Sequence, residues 1–188
     1  MGRWEPDARG RLEKAALDLY GENGFENTTV AEIAERAGLT ERTFFRHFAD
    51  KREVLFAGAG ALQELLVETV MGAPNSTTPI AAIAPALEAA AARLQERREF
   101  SMQRQAVIAA NPELQERELI KLATLATALA DALRRRGVKD PTASLAAEVG
   151  IAAFKVAFER WIKETNRRDF PLLIRDSFNR LVAVTQGA

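Results

Sequence analysis

Residues 28–51 read TTVAEIAERAGLTERTFFRHFADK, and this stretch predicts two short helices joined by a tight turn. In its first half, apolar residues recur at the three- and four-residue spacing of a single helix face. Thr29 with Glu32 three residues later is a capping-box pattern, which satisfies free backbone donors at the start of a helix. Gly38 is expected to end this helix, and Thr40 to cap the next one. The pattern is that of a helix-turn-helix, in which the second helix enters the DNA major groove and the first braces it.

The second predicted helix has two chemically different faces. At about 100° per residue, one arc is formed by Glu41, Arg42, Phe45 and Arg46. The opposite arc is formed by Phe44, His47 and Phe48. A guanidinium can donate two hydrogen bonds to guanine, and an aromatic ring can pack on the methyl group of thymine. From this pattern alone, the first arc is either a DNA-reading face or an ordinary solvated helix face.

Charge is balanced along the chain except for one narrow basic patch. The 188 residues contain 26 Lys and Arg against 26 Asp and Glu, which gives a formal net charge of zero. Residues 36–52 contain five cations against two acids. By contrast, residues 1–52 contain nine cations and ten acids, and residues 53–188 contain 17 cations and 16 acids. Net charge therefore draws neither part of the chain to nucleic acid or membrane.

Composition excludes several classes of enzyme and metalloprotein. The chain has no cysteine, which excludes disulfide scaffolds, thiol nucleophiles and zinc fingers. Its single histidine, His47, leaves no histidine-rich metal site. An all-helical enzyme would need paired carboxylates or a metal site, and acid pairs such as Glu113 and Glu116 fall where solvated helix faces are expected. We therefore expect no catalytic residue, no metal, no cofactor and no enzymatic activity.

The rest of the chain is predicted to be helical, because no run alternates with the period of a β-strand. Asp50 is expected to cap a longer fourth helix, and residues 72–79 to form a loop. Pro85 should either kink the next helix or mark its late start. These patterns predict an all-α fold of about nine helices.

No membrane span or signal sequence is expected. The longest apolar runs are rich in alanine and are interrupted well short of the roughly 20 residues that a membrane-spanning helix needs. The segment Met1–Asp7 has no apolar signal core. We expect a cytoplasmic protein without membrane contact.

The motif in residues 28–51 closely resembles the DNA-binding signature of TetR-family transcriptional regulators, and the similarity runs from Arg9 to Leu55 without a gap. The resemblance implies a three-helix DNA-binding domain over residues 1–52, with a fourth helix from about residue 50 linking it onward. It also implies a larger domain for effector binding and dimerisation over residues 53–188.

The resemblance also assigns roles to individual residues. The positions implied to contact DNA phosphate are Thr28, Thr29, Thr40, His47 and Lys51. The positions implied to face base edges are Glu41, Arg42, Thr43, Phe45 and Arg46. Family members commonly carry Tyr at the position of Phe45, so this ring either makes an apolar contact with DNA or packs inward. For His47, the alternative is a helix-end histidine satisfied by the core.

A second resemblance concerns the C-terminal half. Asn111–Leu114 through Glu118–Leu119, together with Arg160–Trp161, looks like the C-terminal domain of a TetR subgroup described as having an acyl-CoA-like ligand-binding domain. It suggests an apolar or acyl-type effector. The candidate pocket residues are Phe100, Met102, Gln103, Arg104, Val107, Leu125, Phe154, Phe158 and Trp161. The alternative is simple core packing, since aromatic and Met stripes at helical spacing usually fill cores.

The last two predicted helices combine small and apolar residues, which permit close helix packing. They are Ala146, Ala147, Gly150, Ala153 and Ala157 on one helix, and Leu173, Ile174, Phe178, Leu181 and Val182 on the other. The family implies a homodimer built here as a four-helix bundle, and internal packing is the alternative. The leading hypothesis is a ligand-responsive repressor that binds a palindromic operator as a dimer and is released by a small apolar effector. A helical small-molecule-binding protein without specific DNA binding is the alternative.

Overall fold

The computed structural model describes residues 7–163, 165 and 167–186, and in this part the chain forms ten α-helices and no β-strand. The helices are α1 (Ala8–Asn23), α2 (Val30–Arg36), α3 (Glu41–His47), α4 (Glu53–Phe56), α5 (Ala59–Gly72), α6 (Pro79–Gln95), α7 (Arg98–Ala109), α8 (Pro112–Arg135), α9 (Thr142–Trp161) and α10 (Phe170–Gln186). The all-α prediction is confirmed. Residues 1–6, which belong to the segment expected to lack a signal core, lie outside the described residues.

The predicted long fourth helix is interrupted, and this accounts for the tenth helix. Asp50 provides the expected cap, since its Oδ1 accepts hydrogen bonds from the backbone N–H groups of Arg52 and Glu53 at 2.8 and 2.9 Å. The helix then stops at Phe56 and resumes at Ala59. Glycine at position 58 favours this break because it is among the weakest helix formers.

The chain divides into two compact units that are not simply its two halves. Unit 1 contains residues 1–58 and 102–118, and unit 2 contains residues 59–101 and 119–188. Residues 102–118 therefore pack with the predicted DNA-binding helices, although sequence reasoning assigned them to the C-terminal domain. The functional boundary between residues 52 and 53 stays a prediction.

In unit 1, the segment 102–118 is fastened to α4 around the buried ring of Phe56. Arg104 lies 5.0 Å from the Phe56 ring centroid and pairs with Glu118 at 2.6 Å. Its Nε also donates to the Leu55 carbonyl at 2.5 Å. Arg117 lies 5.9 Å from the same ring and pairs with Glu53. Two guanidinium groups, each neutralised by a carboxylate, thus cover one aromatic side chain.

The core of unit 2 forms where α6 packs against α5, α9 and α10. α6 runs continuously from Pro79 with Pro85 exposed inside it, so Pro85 does not mark a late start. Gly150 on α9 permits a close approach, since a Cβ atom there would lie 2.7 Å from Ile83. The Gln95 side-chain oxygen accepts hydrogen bonds from the Trp161 indole at 2.9 Å and from the Phe170 backbone at 2.8 Å.

One stretch of the described residues, Glu53–Gly72, is long and apolar enough by composition to cross a membrane, with a mean hydropathy of 1.4. It contains the break between α4 and α5. Its Leu66 and Val70 belong to the core cluster of unit 2. The stretch therefore contributes side chains to the folded core of unit 2.

Candidate nucleic-acid interface

The turn between α2 and α3 requires glycine at position 38. Gly38 has a φ of +66°, in the left-handed region that side chains with a Cβ rarely adopt. The backbone N–H of Leu39 then donates to the Ala34 carbonyl at 2.8 Å, which closes the end of α2. A Cβ atom at position 38 would also lie 2.8 Å from the guanidinium of Arg11. The two helices of the motif are therefore held at a fixed angle by local geometry.

Both helices begin with the predicted threonine caps. Thr29 Oγ1 accepts a hydrogen bond from the Glu32 backbone at 3.2 Å, and the Glu32 carboxylate accepts one from the Thr29 backbone at 2.7 Å. Thr40 Oγ1 accepts a hydrogen bond from the Thr43 backbone at 3.2 Å and lies 3.1 Å from the Thr43 hydroxyl. The bonds from Thr29 lower the pKa of Glu32. Both helices are thus capped at their first turn by side chains of the same chain.

The outward face of α3 consists of exposed side chains of mixed chemistry. The exposed residues are Glu41, Arg42, Phe45 and Arg46. Phe45 is 56 % exposed, whereas the neighbouring Phe44 is fully buried. The alternative in which Phe45 packs into the core is therefore excluded. Thr43, the fifth residue predicted to face bases, is half-buried and engaged with Thr40.

The five cations of the basic patch differ in what they already bind. Arg36 donates two hydrogen bonds to Glu22, at 3.0 and 2.8 Å, and Arg52 is paired with Asp50. Lys51 Nζ donates to three backbone carbonyls of the segment before α2, at 2.9, 3.1 and 3.0 Å. The two remaining cations, on α3, have no hydrogen-bond or ion-pair partner among the described residues. The basic patch is therefore reduced to two free guanidinium groups, those of Arg42 and Arg46.

Two of the predicted phosphate contacts need correction. Thr28 is only 1 % exposed, and its hydroxyl donates to the Gly24 carbonyl at 2.9 Å. The three ammonium hydrogens of Lys51 are committed to carbonyl oxygens, and the ammonium lies 4.6 Å from the Phe25 ring centroid. Both side chains therefore hold the segment before α2 in place and are not available to phosphate in this structure.

The other predicted phosphate contacts have different surroundings. Thr29 and Thr40 are exposed, although the Thr29 hydroxyl donates to the Glu32 carboxylate at 2.8 Å. His47 is half-buried beside Phe48, and its Nε2 atom is buried with no hydrogen-bond partner among the described residues. A phosphate contact by these three side chains stays a prediction.

The predicted effector-pocket residues are divided between the two units. Met102, Gln103, Arg104 and Val107 belong to unit 1, where Arg104 is paired with Glu118. The others, Phe100, Leu125, Phe154, Phe158 and Trp161, belong to unit 2.

An aromatic cluster occupies the part of unit 2 where the pocket was predicted. Trp161 is fully buried and stacks on Phe170, with ring centroids 4.6 Å apart. Phe154 lies 5.4 Å from Phe170, and Phe158 lies 5.7 Å from Trp161. Sequence reasoning missed Phe170 as the centre of this cluster, because its partners are on another helix. The alternative of core packing therefore describes Trp161 and Phe154 in this structure.

Two surface grooves lie elsewhere in unit 2. A groove of about 610 Å³ lies between α5 and α8, beside Val67 and Asp131. A second groove of about 410 Å³ lies between α8 and α9, beside Leu122 and Val156. Neither groove is lined by a predicted pocket residue.

The small residues predicted to form a dimer interface lie inside unit 2. Ala146, Ala147, Gly150, Ala153 and Ala157 are all buried. On α10, Leu173, Ile174 and Phe178 are also buried, so the alternative of internal packing is correct for these eight residues. The outward faces of the same two helices combine exposed apolar residues with charged ones such as Glu148 and Arg175. Their exposed large hydrophobic residues are Leu145, Val156, Leu172, Val182 and Val184.

The geometry defines a helix-turn-helix protein with a separate all-α unit. Comparison with known proteins agrees: residues 12–57 match the family model described as "Bacterial regulatory proteins, tetR family", and residues 77–186 match the "MftR C-terminal domain". The chain therefore belongs to the TetR family of bacterial regulatory proteins and carries an MftR-like C-terminal domain. The proteins of this family are regulatory proteins, in agreement with the prediction from the helix-turn-helix motif.

Curated relatives match over only part of the chain. The regulator TcmR of Streptomyces glaucescens is 36 % identical over 88 residues, which cover 47 % of this chain and 39 % of that protein. The repressor KstR2 of Mycobacterium tuberculosis is 38 % identical over 47 residues, which cover 25 % of this chain and 24 % of KstR2. The chain thus spans well under half the length of these relatives.

Solved structures share the fold across nearly the whole chain. The Bacillus subtilis regulator FadR, solved with stearoyl-CoA, has a TM-score of 0.66 at 19 % identity and covers 93 % of this chain and 97 % of its own. The Stenotrophomonas maltophilia repressor SmeT has a TM-score of 0.62 at 19 % identity and covers 94 % and 89 %. At such identities the likeness concerns the fold alone.

Proposed function

We propose that this chain is a repressor that binds an inverted-repeat operator as a homodimer and releases it when a small effector binds. The observation that carries the proposal is the outward face of α3, where Arg42 and Arg46 are exposed and have no partner among the described residues. A guanidinium held on a rigid helix with its donors free is suited to the acceptor pair of guanine. The remaining cations of the motif, Arg36, Lys51 and Arg52, are already bound to carboxylates or carbonyl oxygens of the same chain.

DNA binding is tested by selecting bound duplexes from a random pool at a stated salt concentration, since phosphate contacts make affinity depend on salt. We expect an inverted repeat with half-sites about one helical turn apart or somewhat more. Recovery of no consensus by a folded dimer would instead support the alternative, a helical binding protein without specific DNA recognition.

We propose that the dimer forms through the outward faces of α9 and α10. Among the residues that the structure describes, five of the nine exposed large hydrophobic side chains lie on these two helices. On α9, Leu145 and Val156 lie on one outward face together with Ala152. Burying such a face in a second copy would remove apolar surface from water. A dimer would also explain how short recognition helices read enough bases for specificity.

A paired substitution tests this interface. Leu145→Glu with Val156→Glu should give a monomer in sedimentation velocity, because it places charges on the proposed apolar face. Met71→Glu on α5 is the matched control, since Met71 is also exposed but lies on another helix. A doubly substituted protein that remains a dimer would exclude this face as the interface.

We propose an apolar effector of the acyl type, bound within the C-terminal domain. The match to the MftR C-terminal domain supports an effector-binding role for residues 77–186. The stearoyl-CoA complex of FadR and the lauroyl-CoA complex of the Thermus thermophilus FadR show which ligands two proteins of this fold hold. Of the predicted pocket residues in unit 2, Phe100 and Phe158 are half-buried and are the best candidates for ligand contact.

Acyl-CoA molecules of increasing chain length test the effector class. The selected operator, labelled with a fluorophore, is bound first and each acyl-CoA is then titrated. A true effector should weaken operator binding by about 5–150-fold, and the operator should weaken effector binding by the same factor. If no chain length changes operator affinity while DNA binding is intact, the effector belongs to another class.

We also propose a cytoplasmic location, because the operator and a metabolite effector are both present there.

A further inference from the structure

We infer that Phe45 reads the methyl group of a thymine in the operator half-site, next to guanines bound by Arg42 and Arg46. The inference rests on the proposed function, since it concerns the sequence that the same face of α3 recognises. Phe45 would thus determine specificity by selecting thymine at one position of the half-site.

The chemistry of the Phe45 side chain limits what it can recognise. Its ring is 56 % exposed and carries no hydroxyl group, so it cannot donate a hydrogen bond to phosphate. Among the base edges in the major groove, the thymine methyl is the apolar group. Contact between the ring and a methyl removes apolar surface of both partners from water.

The ring of Phe45 is positioned by a buried neighbour. Its centroid lies 5.4 Å from that of Phe44, and the two rings are nearly perpendicular at 83°. Phe44 is itself fully buried and lies 5.4 Å from the Phe48 ring. An exposed side chain supported in this way presents one edge of its ring in a defined direction, as a specific contact requires.

Along the axis of α3, Phe45 lies within the turn that separates the two free cations. Arg42 and Arg46 are one helical turn apart, about 6 Å along the helix axis. Base pairs are about 3.4 Å apart along DNA, so the three side chains reach bases within about two or three adjacent pairs. Each half-site should therefore contain a thymine within about two base pairs of the contacted guanines.

The test replaces, one at a time, each thymine of the selected half-site with deoxyuridine, which lacks only the methyl group. For the unmodified protein, one position should lose about fourfold in affinity per half-site, the effect expected for one buried methyl. The Phe45→Ala variant should bind more weakly and lose its sensitivity at that position. Phe45→Gln keeps a long side chain but removes the apolar ring, and it replaces Phe45→Ala in the test if that variant does not fold. Arg42→Ala should bind more weakly but keep the deoxyuridine effect, which separates the ring from its neighbours.

Three results would overturn the inference or its basis. If no thymine is sensitive to loss of its methyl while the protein binds its consensus, methyl recognition is wrong and the regulator proposal stands. If Phe45→Ala retains the sensitivity, another residue makes the contact. If no consensus can be selected at all, the proposed function itself fails.

Discussion

The helices α2 and α3 have the same length and the same kind of start, yet they leave very different groups free. Each has seven residues and begins after a threonine cap. In α2, the charged ends are already bound: Glu32 by Thr29 and Arg36 by Glu22. In α3, the exposed guanidinium groups have no partner among the described residues. Two helices with the same length and the same kind of cap therefore differ in role. The partners that their side chains find elsewhere in the fold determine that α2 supports the motif and α3 is free to contact DNA.

Two adjacent residues of α3 differ in the same way. Phe44 and Phe45 are identical in chemistry, but one is fully buried and the other is 56 % exposed. Helical geometry directs neighbouring side chains about 100° apart, so one ring stabilises the domain while the next one is available to a ligand.

The largest effect on stability should come from removing the buried one of these two rings. Phe44→Ala should lower the free energy of unfolding by about 3–5 kcal/mol, because it empties a fully buried site. Phe45→Ala should change it by no more than about 0.5 kcal/mol. Urea denaturation of both variants measures the difference. Equal destabilisation would mean that Phe45 is packed in solution.

Lys51 should act on stability and not on base recognition. Lys51→Met keeps the apolar stem but removes the three hydrogen bonds to carbonyl oxygens. We expect a loss of about 1.5–3 kcal/mol in the free energy of unfolding, the range for hydrogen bonds to charged groups. The base preferences of the folded variant, measured by repeated selection, should be unchanged. A shifted consensus would show that Lys51 leaves its carbonyl partners when DNA binds.

Removal of an arginine from α3 should weaken DNA binding more than removal of an arginine from α2. Arg42→Ala should cost about 1–3 kcal/mol of operator affinity and relax preference at one base position. Arg36→Ala is the matched control, because Arg36 is exposed on α2 but already paired with Glu22. Fluorescence anisotropy with the consensus and single-base variants of it measures both. A larger loss for Arg36→Ala than for Arg42→Ala would reverse the roles assigned to the two helices.

The threonine caps should have similar, smaller effects on stability. Thr29→Ala and Thr40→Ala each remove a side-chain acceptor at a helix start, which typically costs about 1 kcal/mol. Thermal unfolding of the two variants, beside the conservative Thr→Ser replacements, checks this. A fully retained stability in Thr29→Ala would contradict the capping box.

The smallest effect should appear as a dependence of stability on pH. The hydrogen bonds from Thr29 lower the pKa of Glu32 from its ordinary value of 4.5. A lowered folded-state pKa contributes stability above the unfolded pKa, and this contribution is lost as pH falls through the folded one. Glu32→Gln should therefore lose less stability than the unmodified protein on acidification below about pH 4.5. Parallel unfolding curves of the two proteins at each pH would exclude the effect.

The sequence predicted the local features of the motif because short-range rules govern them. Caps at Thr29, Thr40 and Asp50 and the turn at Gly38 depend on residues within five positions of each other. The free cations could not be identified in this way. Arg36 finds its partner 14 residues away, and Lys51 binds carbonyls 23 to 26 residues away.

Helix periodicity also failed to show which face of α9 is buried. Small residues such as Gly150 allow close packing against any partner, and here the partner is Ile83 on α6 of the same chain. A pattern of small residues carries no information on whether the neighbouring helix belongs to the same copy. The exposed residues Leu145 and Val156 became evident only from their accessibility in the fold.

Unit 1 is built from two separate segments of the chain, which limits how its DNA-binding helices can be exchanged between proteins. A gene fusion that takes only codons 1–58 would omit residues 102–118, the second part of that compact unit. It would leave Phe56 without the guanidinium groups of Arg104 and Arg117 that cover it. Exchange of the DNA-binding module between paralogues, in the laboratory or in evolution, must therefore carry along compatible α7 and α8 segments, or it will expose an aromatic surface.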